Sequence, residues 1–173
     1  RRNKGENMTL NRRDFIKAAG ATVAFGSLYG CAGGTKGSGN VVVIGGGYGG
    51  ATVAKYLRMW SDGGINVTLV APTPNFVSCP ISNLVLAGEK TMADITTSYD
   101  GLRKHGVTVV IDSATAIDPA KRTVTLAKGG SLSYDRLVVS PGIDFMWDSV
   151  PGLTEALADS KILHAWKAGP QTV

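Results

Sequence analysis

Histidine and cysteine are scarce in this chain, with two of each among 173 residues. His105 and His164 stand alone, with no Cys, His or carboxylate at ligand spacing, so no metal site is expected. No Ser-His-Asp arrangement and no nucleophile elbow is present, which removes that route to hydrolysis. Long apolar runs are missing too. The stretch from Ala18 to Tyr29 is too short and too glycine-rich to span a bilayer, so no transmembrane helix is expected. No internal repeat is evident. Net positive charge is lacking where it would matter. The formal charge is +5, but six Lys/Arg and two Asp/Glu lie up to Gly30, which leaves twelve and eleven from Cys31 onward. The basic balance belongs to the leader and gives no support for nucleic-acid binding.

What is present begins with an export signal. Asn11-Arg12-Arg13-Asp14-Phe15-Ile16-Lys17 looks like a twin-arginine motif, followed by the weakly apolar stretch. Met8 is a natural start, and residues 1–7 read as an extension whose Arg1-Arg2 lacks the motif's flanks. Two fates for the leader remain open. It is cleaved near Ala32, or Leu28-Tyr29-Gly30-Cys31 acts as a lipobox and Cys31 is lipidated. The expected organisation is a leader over 1–32 and a Gly/Ser-rich tether over 33–40. A nucleotide-binding domain follows over 41–145, and 146–173 starts a connection to a second domain beyond this sequence. The expected location is periplasmic. Twin-arginine export carries folded proteins, which suits one that must acquire a nucleotide cofactor before leaving the cytoplasm.

The strongest local signal is Gly45-Gly46-Gly47-Tyr48-Gly49-Gly50, directly after the apolar run Val41–Ile44 and before a helix over Gly49–Trp60. G-x-G-x-x-G alone is weak; between strand and helix it is a dinucleotide fingerprint. Gly45 allows the tight turn, Gly47 removes the Cβ that would block a pyrophosphate, and Gly50 lets helix and strand pack closely. The helix N-terminus offers free N–H groups and partial positive charge to phosphates. The plain alternative is a glycine turn of an α/β domain.

Further along, Ile65–Val70 alternates as a second strand, and Pro72 and Pro74 impose an extended loop. Short helices are expected at Asn83–Leu86 and Asp100–His105, with Gly106 as a stop. Val107–Ile111 reads as a third parallel strand. Ala114–Ile117, Thr123–Leu126 and Ser131–Tyr134 read as an antiparallel meander, and Leu137–Val139 as a last buried strand. The fold class is α/β, a Rossmann-like domain with a small antiparallel meander and a right-handed crossover.

Three positions carry further chemistry. The carboxylate that the fingerprint expects on the ribose, about 20 residues on, is replaced by Ala71, so Thr73 or backbone groups would have to serve. Cys79, in Asn75-Phe76-Val77-Ser78-Cys79-Pro80-Ile81-Ser82-Asn83, follows the second strand, where ligands bind in such folds. Its thiolate could add to the electrophilic 8-methyl carbon of a flavin, sit buried and inert, or pair with Cys31. Pro141-Gly142 makes a glycine turn after the last strand, a position that returns the chain beneath the FAD in two-dinucleotide flavoproteins or is simply a strand end. Trp147 and Trp166 read as packing residues.

The export motif, Val41–Arg58, Phe76–Asn83, Tyr99-Asp100-Gly101-Leu102-Arg103, Asp112-Ser113-Ala114-Thr115, Tyr134–Gly142 and His164–Gly169 together resemble the flavin-binding subunits of flavocytochrome c sulfide dehydrogenases. The resemblance spans almost the whole chain. It implies the glutathione-reductase-like fold, FAD as cofactor, and a covalent bond from Cys79 to the flavin 8α-carbon. It implies that Gly45, Gly47 and Gly50 are the pyrophosphate glycines, with Ala114 near the adenine and Pro141 and Gly142 on the flavin side. Tyr48, Gly49 and Cys79 complete the expected cofactor site, and at its ribose position Ala71 departs from the acidic residue common in the family. It also implies sulfide as substrate and a haem-bearing cytochrome c subunit as partner. The family's redox-active cysteine pair lies past the equivalent of Val173, so the chain reads as an N-terminal fragment that is inactive alone. The competing expectations are another exported FAD-dependent pyridine-nucleotide or quinone oxidoreductase, and an inactive nucleotide-binding fragment.

Overall fold

Apolar runs too continuous for a half-exposed strand build the centre of the domain. In a computed structural model of the protein, β1 (Gly39–Ile44), β2 (Ile65–Ala71), β5 (Thr108–Ile111) and β9 (Arg136–Val139) form one parallel sheet in the order β5-β2-β1-β9. The structure describes residues 38–158, 160, 161, 164, 166–169 and 172, within the compact unit Lys36–Val173. The expected export leader, Cys31 and most of the expected tether lie outside the described residues.

Strand side chains alternate between faces, so one register assigns each row to a layer. Val138, Val43, Leu69 and Val109 stand abreast and face the helix layer. One residue on, Ile44, Val70 and Val110 face the other way, toward the meander. Val43 and Leu69 are fully buried, each contributing about 1.5–3 kcal/mol relative to exposure. Both faces are covered, which explains the unbroken apolar run Val41–Ile44 of β1.

On one face lies α1 (Tyr48–Trp60), with Ala54 fully buried and Leu57 packed against Val41 and its neighbours. Ser61 closes it: its hydroxyl donates to the Leu57 carbonyl at 2.6 Å and accepts from the Ile65 amide at 3.1 Å. Arg58 adds hydrogen bonds to the carbonyls of Gly63, Ile65 and His105, joining the helix end to β2 and to α3 (Asp100–Lys104). On the other face lies the antiparallel meander β6 (Ala114–Asp118), β7 (Thr123–Leu126) and β8 (Ser131–Ser133), anchored by the fully buried Val124. The buried Asp112 carboxylate accepts from the amides of Ser113 and Lys128, and so fixes the entry of the meander.

The expected α/β class with a meander is the observed one, and most boundaries agree within one residue. The helix begins at Tyr48 instead of Gly49, and β2 runs on to include Ala71. The connection after β2 departs most. Where an extended loop was expected, β3 (Asn75–Val77) and β4 (Thr96–Ser98) pair as an antiparallel ribbon that encloses α2 (Ser82–Leu86) and a 3₁₀ turn, Ala93–Ile95. Pairing across some twenty residues of chain leaves no local signature. Toward the end come a 3₁₀ turn, Trp147–Ser149, and α4 (Glu155–Ala158). Among the described residues no helix is long and apolar enough to cross a membrane, and no cluster of His, Cys, Asp or Glu could hold a metal.

Candidate functional site

The site is assembled where β1 and β9, adjacent and parallel, release their chains in different directions. Gly45 leaves β1 at φ +103°, a conformation open to glycine and few others. Its amide donates to the Val70 carbonyl at 2.9 Å, while the Ser140 amide donates to Ile44 at 2.8 Å. The turn is thus pinned between the ends of β2 and β9.

The space around each glycine separates structural roles from ligand roles. A Cβ on Gly45 would lie 1.9 Å from the Ser140 carbonyl oxygen, and one on Gly50 would lie 1.9 Å from the Gly45 carbonyl oxygen. On Gly46 it would collide with the Tyr99 hydroxyl at 2.1 Å and the Ala71 methyl at 2.9 Å. On Gly49 it would crowd the Ser140 hydroxyl at 2.8 Å. Gly47 differs: the nearest atom is on Phe76, 3.8 Å away. Its missing side chain faces open space, where a pyrophosphate would approach. Gly47 is also the N-cap of α1, has no side-chain cap, and leaves the first-turn N–H groups for a ligand.

One cavity of about 540 Å³ unites the parts, within the usual range for small-molecule sites. Its walls include Gly45 to Gly49, Thr73, Phe76, Cys79, Ser140 to Gly142, Trp166 and Lys167. The glycine turn, the Cys79 loop and Pro141-Gly142, remote in sequence, therefore meet. Cys79 is half-buried and not in a disulfide; its thiol hydrogen-bonds to the Trp166 carbonyl. Tyr48, largely exposed, bonds through its hydroxyl to Ser78 and meets the Phe76 ring edge-on at 4.8 Å.

Two predicted positions lie elsewhere. Ala71 is fully buried beneath Gly46, and its carbonyl accepts from the Asp112 amide. It packs the floor of the turn and presents no group to a ribose. Thr73, which lines the cavity, spends its hydroxyl proton on the Asn75 carbonyl at 2.8 Å, leaving oxygen lone pairs for a ligand. Ala114 packs in the cluster between sheet and meander and lines neither described cavity.

Residues that sequence reasoning passed over support the site from below. Tyr99 is almost fully buried, and its hydroxyl donates to the Gly46 carbonyl at 3.2 Å. Burial pushes its phenol above the ordinary range. An aromatic just ahead of a helix was the available signal. Ser140 closes on Gly45 and Gly49. Phe145 gathers Trp147, His164 and Trp166, each with ring centroids 4.7 Å away. Trp147 packs there as expected, whereas Trp166 both packs and lines the cavity. Lys167 on the rim pairs with Asp144 at 3.0 Å and Glu155 at 3.6 Å. The Lys167 hydrogen bond is the main cause that lowers the Asp144 carboxyl, and the same bond raises Lys167. A second cavity of about 510 Å³ shares Tyr48 and Phe76 with the first and is also lined by Lys55, Ser78 and His105.

A turn of this geometry is shared by many nucleotide-binding proteins, so relatives decide the family. The sequence profile of pyridine nucleotide-disulphide oxidoreductases matches residues 39–167. The chain belongs to that family. It is therefore related to FAD-dependent oxidoreductases, and the open cradle at Gly47 suits such a dinucleotide. Among family members, the mitochondrial sulfide:quinone oxidoreductase of Dictyostelium discoideum is 32% identical over 122 residues, 70% of this chain and 27% of that protein. The flavoprotein chain of sulfide dehydrogenase (flavocytochrome c) from Chlorobaculum thiosulfatiphilum is 60% identical over 52 residues, 30% of this chain and 100% of that sequence. The crystal structure of the sulfide:quinone oxidoreductase from Aquifex aeolicus superposes with a TM-score of 0.56 at 32% identity, over 62% of this chain and 25% of that one. The chain spans about a quarter of the length of the sulfide:quinone oxidoreductases it matches.

Proposed function

We propose that the chain belongs to the flavoprotein subunit of a sulfide dehydrogenase that passes electrons from sulfide through FAD to a cytochrome c subunit. The observation that carries this reading is the placement of Cys79 in one cavity with the glycine turn and Pro141-Gly142. The 60% identity to a flavocytochrome c flavoprotein chain supports it. FAD, when bound, supplies two-electron acceptance and one-electron release, which a sulfur donor and a haem acceptor require.

The chain's own residues hold and orient. The α1 N-terminus, opened by Gly47, would hold the pyrophosphate. Cys79, its thiol hydrogen-bonded to the Trp166 carbonyl, would tether the flavin through its 8α-carbon. Pro141-Gly142 would line the flavin side of the site. The twin-arginine leader directs the loaded protein to the periplasm, with Cys31 as the lipid-anchor alternative to cleavage.

A second reading, an exported sulfide:quinone or related pyridine-nucleotide oxidoreductase, is favoured by the longer matches at 32% identity. Two measurements on the full-length protein separate them. Acid precipitation should leave flavin, read by its visible absorption band, in the wild-type pellet and release it from Cys79→Ser. Complete release from the wild type would sink the tether. Sulfide-dependent reduction of cytochrome c should exceed reduction of a soluble quinone; the reverse order supports the second reading.

A further inference from the structure

The geometry points to Tyr48 and Ser78 as a clasp that sets the position of Cys79, an inference that rests on the tethered-flavin reading. Tyr48 is the first residue of α1 and belongs to the phosphate-binding end of the helix. Its hydroxyl lies 2.5 Å from Ser78 Oγ, although 30 residues separate them in sequence. Its ring is braced edge-on by Phe76. Ser78 is buried, and its amide donates to the Ile95 carbonyl at 2.8 Å, so the serine end of the clasp sits on a fixed backbone. Cys79 follows directly and shares the cavity with Tyr48.

Such a clasp couples two events. Seating of the pyrophosphate orders the first turn of α1, and the Tyr48–Ser78 bond carries that order to the neighbouring thiol. The thiol then waits at the flavin edge, its other side held by the Trp166 carbonyl. Bond formation is steep in geometry: a misplacement of about 1 Å can cost on the order of 100-fold in rate. In the bonding step one S–H and one 8α C–H bond break and one S–C bond forms. Two electrons and two protons are left on the isoalloxazine, to be collected by the enzyme's own electron acceptor. The clasp exchanges neither electrons nor protons; Tyr48 and Ser78 are positioning residues.

The test follows attachment in full-length protein prepared without flavin and then mixed with excess FAD. Acid-stable flavin is measured against time, and FAD affinity is measured separately in a Cys79→Ser background, where attachment cannot occur. Tyr48→Phe and Ser78→Ala should each slow attachment about tenfold, and Ser78→Ala, whose side chain lies outside the lining of the Cys79 cavity, should leave FAD affinity within about threefold. Ser78→Thr, which keeps the hydroxyl, should restore attachment to near the wild-type rate. Attachment at the wild-type rate in both Tyr48→Phe and Ser78→Ala would overturn the clasp. So would a loss of FAD affinity in Ser78→Ala that parallels its loss of attachment rate, which would make the pair only a support of nucleotide binding. A wild type that forms no acid-stable flavin removes the tether reading itself, and the clasp with it.

Discussion

The glycine turn and the Cys79 loop line the same cavity but are held there by different means. The turn is fixed by backbone against backbone. Gly45 and Gly50 each face a carbonyl oxygen at a distance no Cβ tolerates, and strand registers on both sides leave the chain no other path. The Cys79 loop is fixed by side chains from elsewhere: Tyr48 on Ser78, the Ile95 carbonyl on its amide, the Trp166 carbonyl on the thiol. A turn built from backbone announces itself within six consecutive residues, because its glycines are what the close carbonyls require. A loop built from distant side chains exists only once the domain has folded. The first is a general device of nucleotide-binding folds; the second depends on side chains that can be changed one at a time.

The sharpest way to break the contrast is to add one methyl to the turn. Gly50→Ala drives a Cβ into the Gly45 carbonyl, and Gly45→Ala adds strain at φ +103°. Each should cost about 3–5 kcal/mol, enough to unfold a marginal domain, read as loss of the cooperative melting transition. Gly47→Ala is the informative opposite. Nothing lies within 3.8 Å of the added carbon, so stability should change by less than about 0.5 kcal/mol, while FAD affinity should fall at least about tenfold. A stable Gly50→Ala variant, or a Gly47→Ala variant with full FAD affinity, would contradict the division of roles.

Smaller effects probe the supports. Tyr99→Phe removes a buried hydrogen bond to Gly46 and should cost about 1 kcal/mol. It also tests a sign. Because burial raises the Tyr99 phenol, its contribution is whole below the ordinary tyrosine pKa, about 10, and is lost as pH rises through the higher folded value. Alkaline denaturation should therefore shift to higher pH in the variant, relative to its own neutral-pH stability. Asp144→Asn should have the least effect. Its pair with Lys167 is about half exposed on both sides, so at most about 1 kcal/mol is at stake. The lowered carboxyl contributes above about pH 4 and is lost as pH falls through the depressed value. The raised lysine contributes below about pH 10.4 and is lost as pH rises through its folded value. A melting curve measured against pH should show the wild-type advantage only between those limits.

Much of this was legible in the residues. Val41–Ile44 followed by the glycine turn announced strand, turn and helix because all the signals are local. The meander was readable as three short β-prone runs, Ala114–Ile117, Thr123–Leu126 and Ser131–Tyr134, set close together in the chain. The β3–β4 ribbon was not, since Asn75–Val77 and Thr96–Ser98 find each other only across an intervening helix. Ala71 was noticed for a missing carboxylate, yet its small size is what admits Gly46 above it. Nothing in the neighbouring sequence indicates that a methyl there is a packing requirement.

The chain alone therefore determined the class of fold and the location of the glycine turn, and it singled out Cys79 as a candidate nucleophile. These depend on backbone freedom, residue period and side-chain chemistry, which are properties of short segments. Only the tertiary structure decided which glycine faces a ligand and which face protein, that Tyr48 reaches Ser78, and that Cys79 shares a cavity with the turn. Those outcomes depend on distances between residues far apart in the sequence, set by the packing of helix, sheet and meander as a whole.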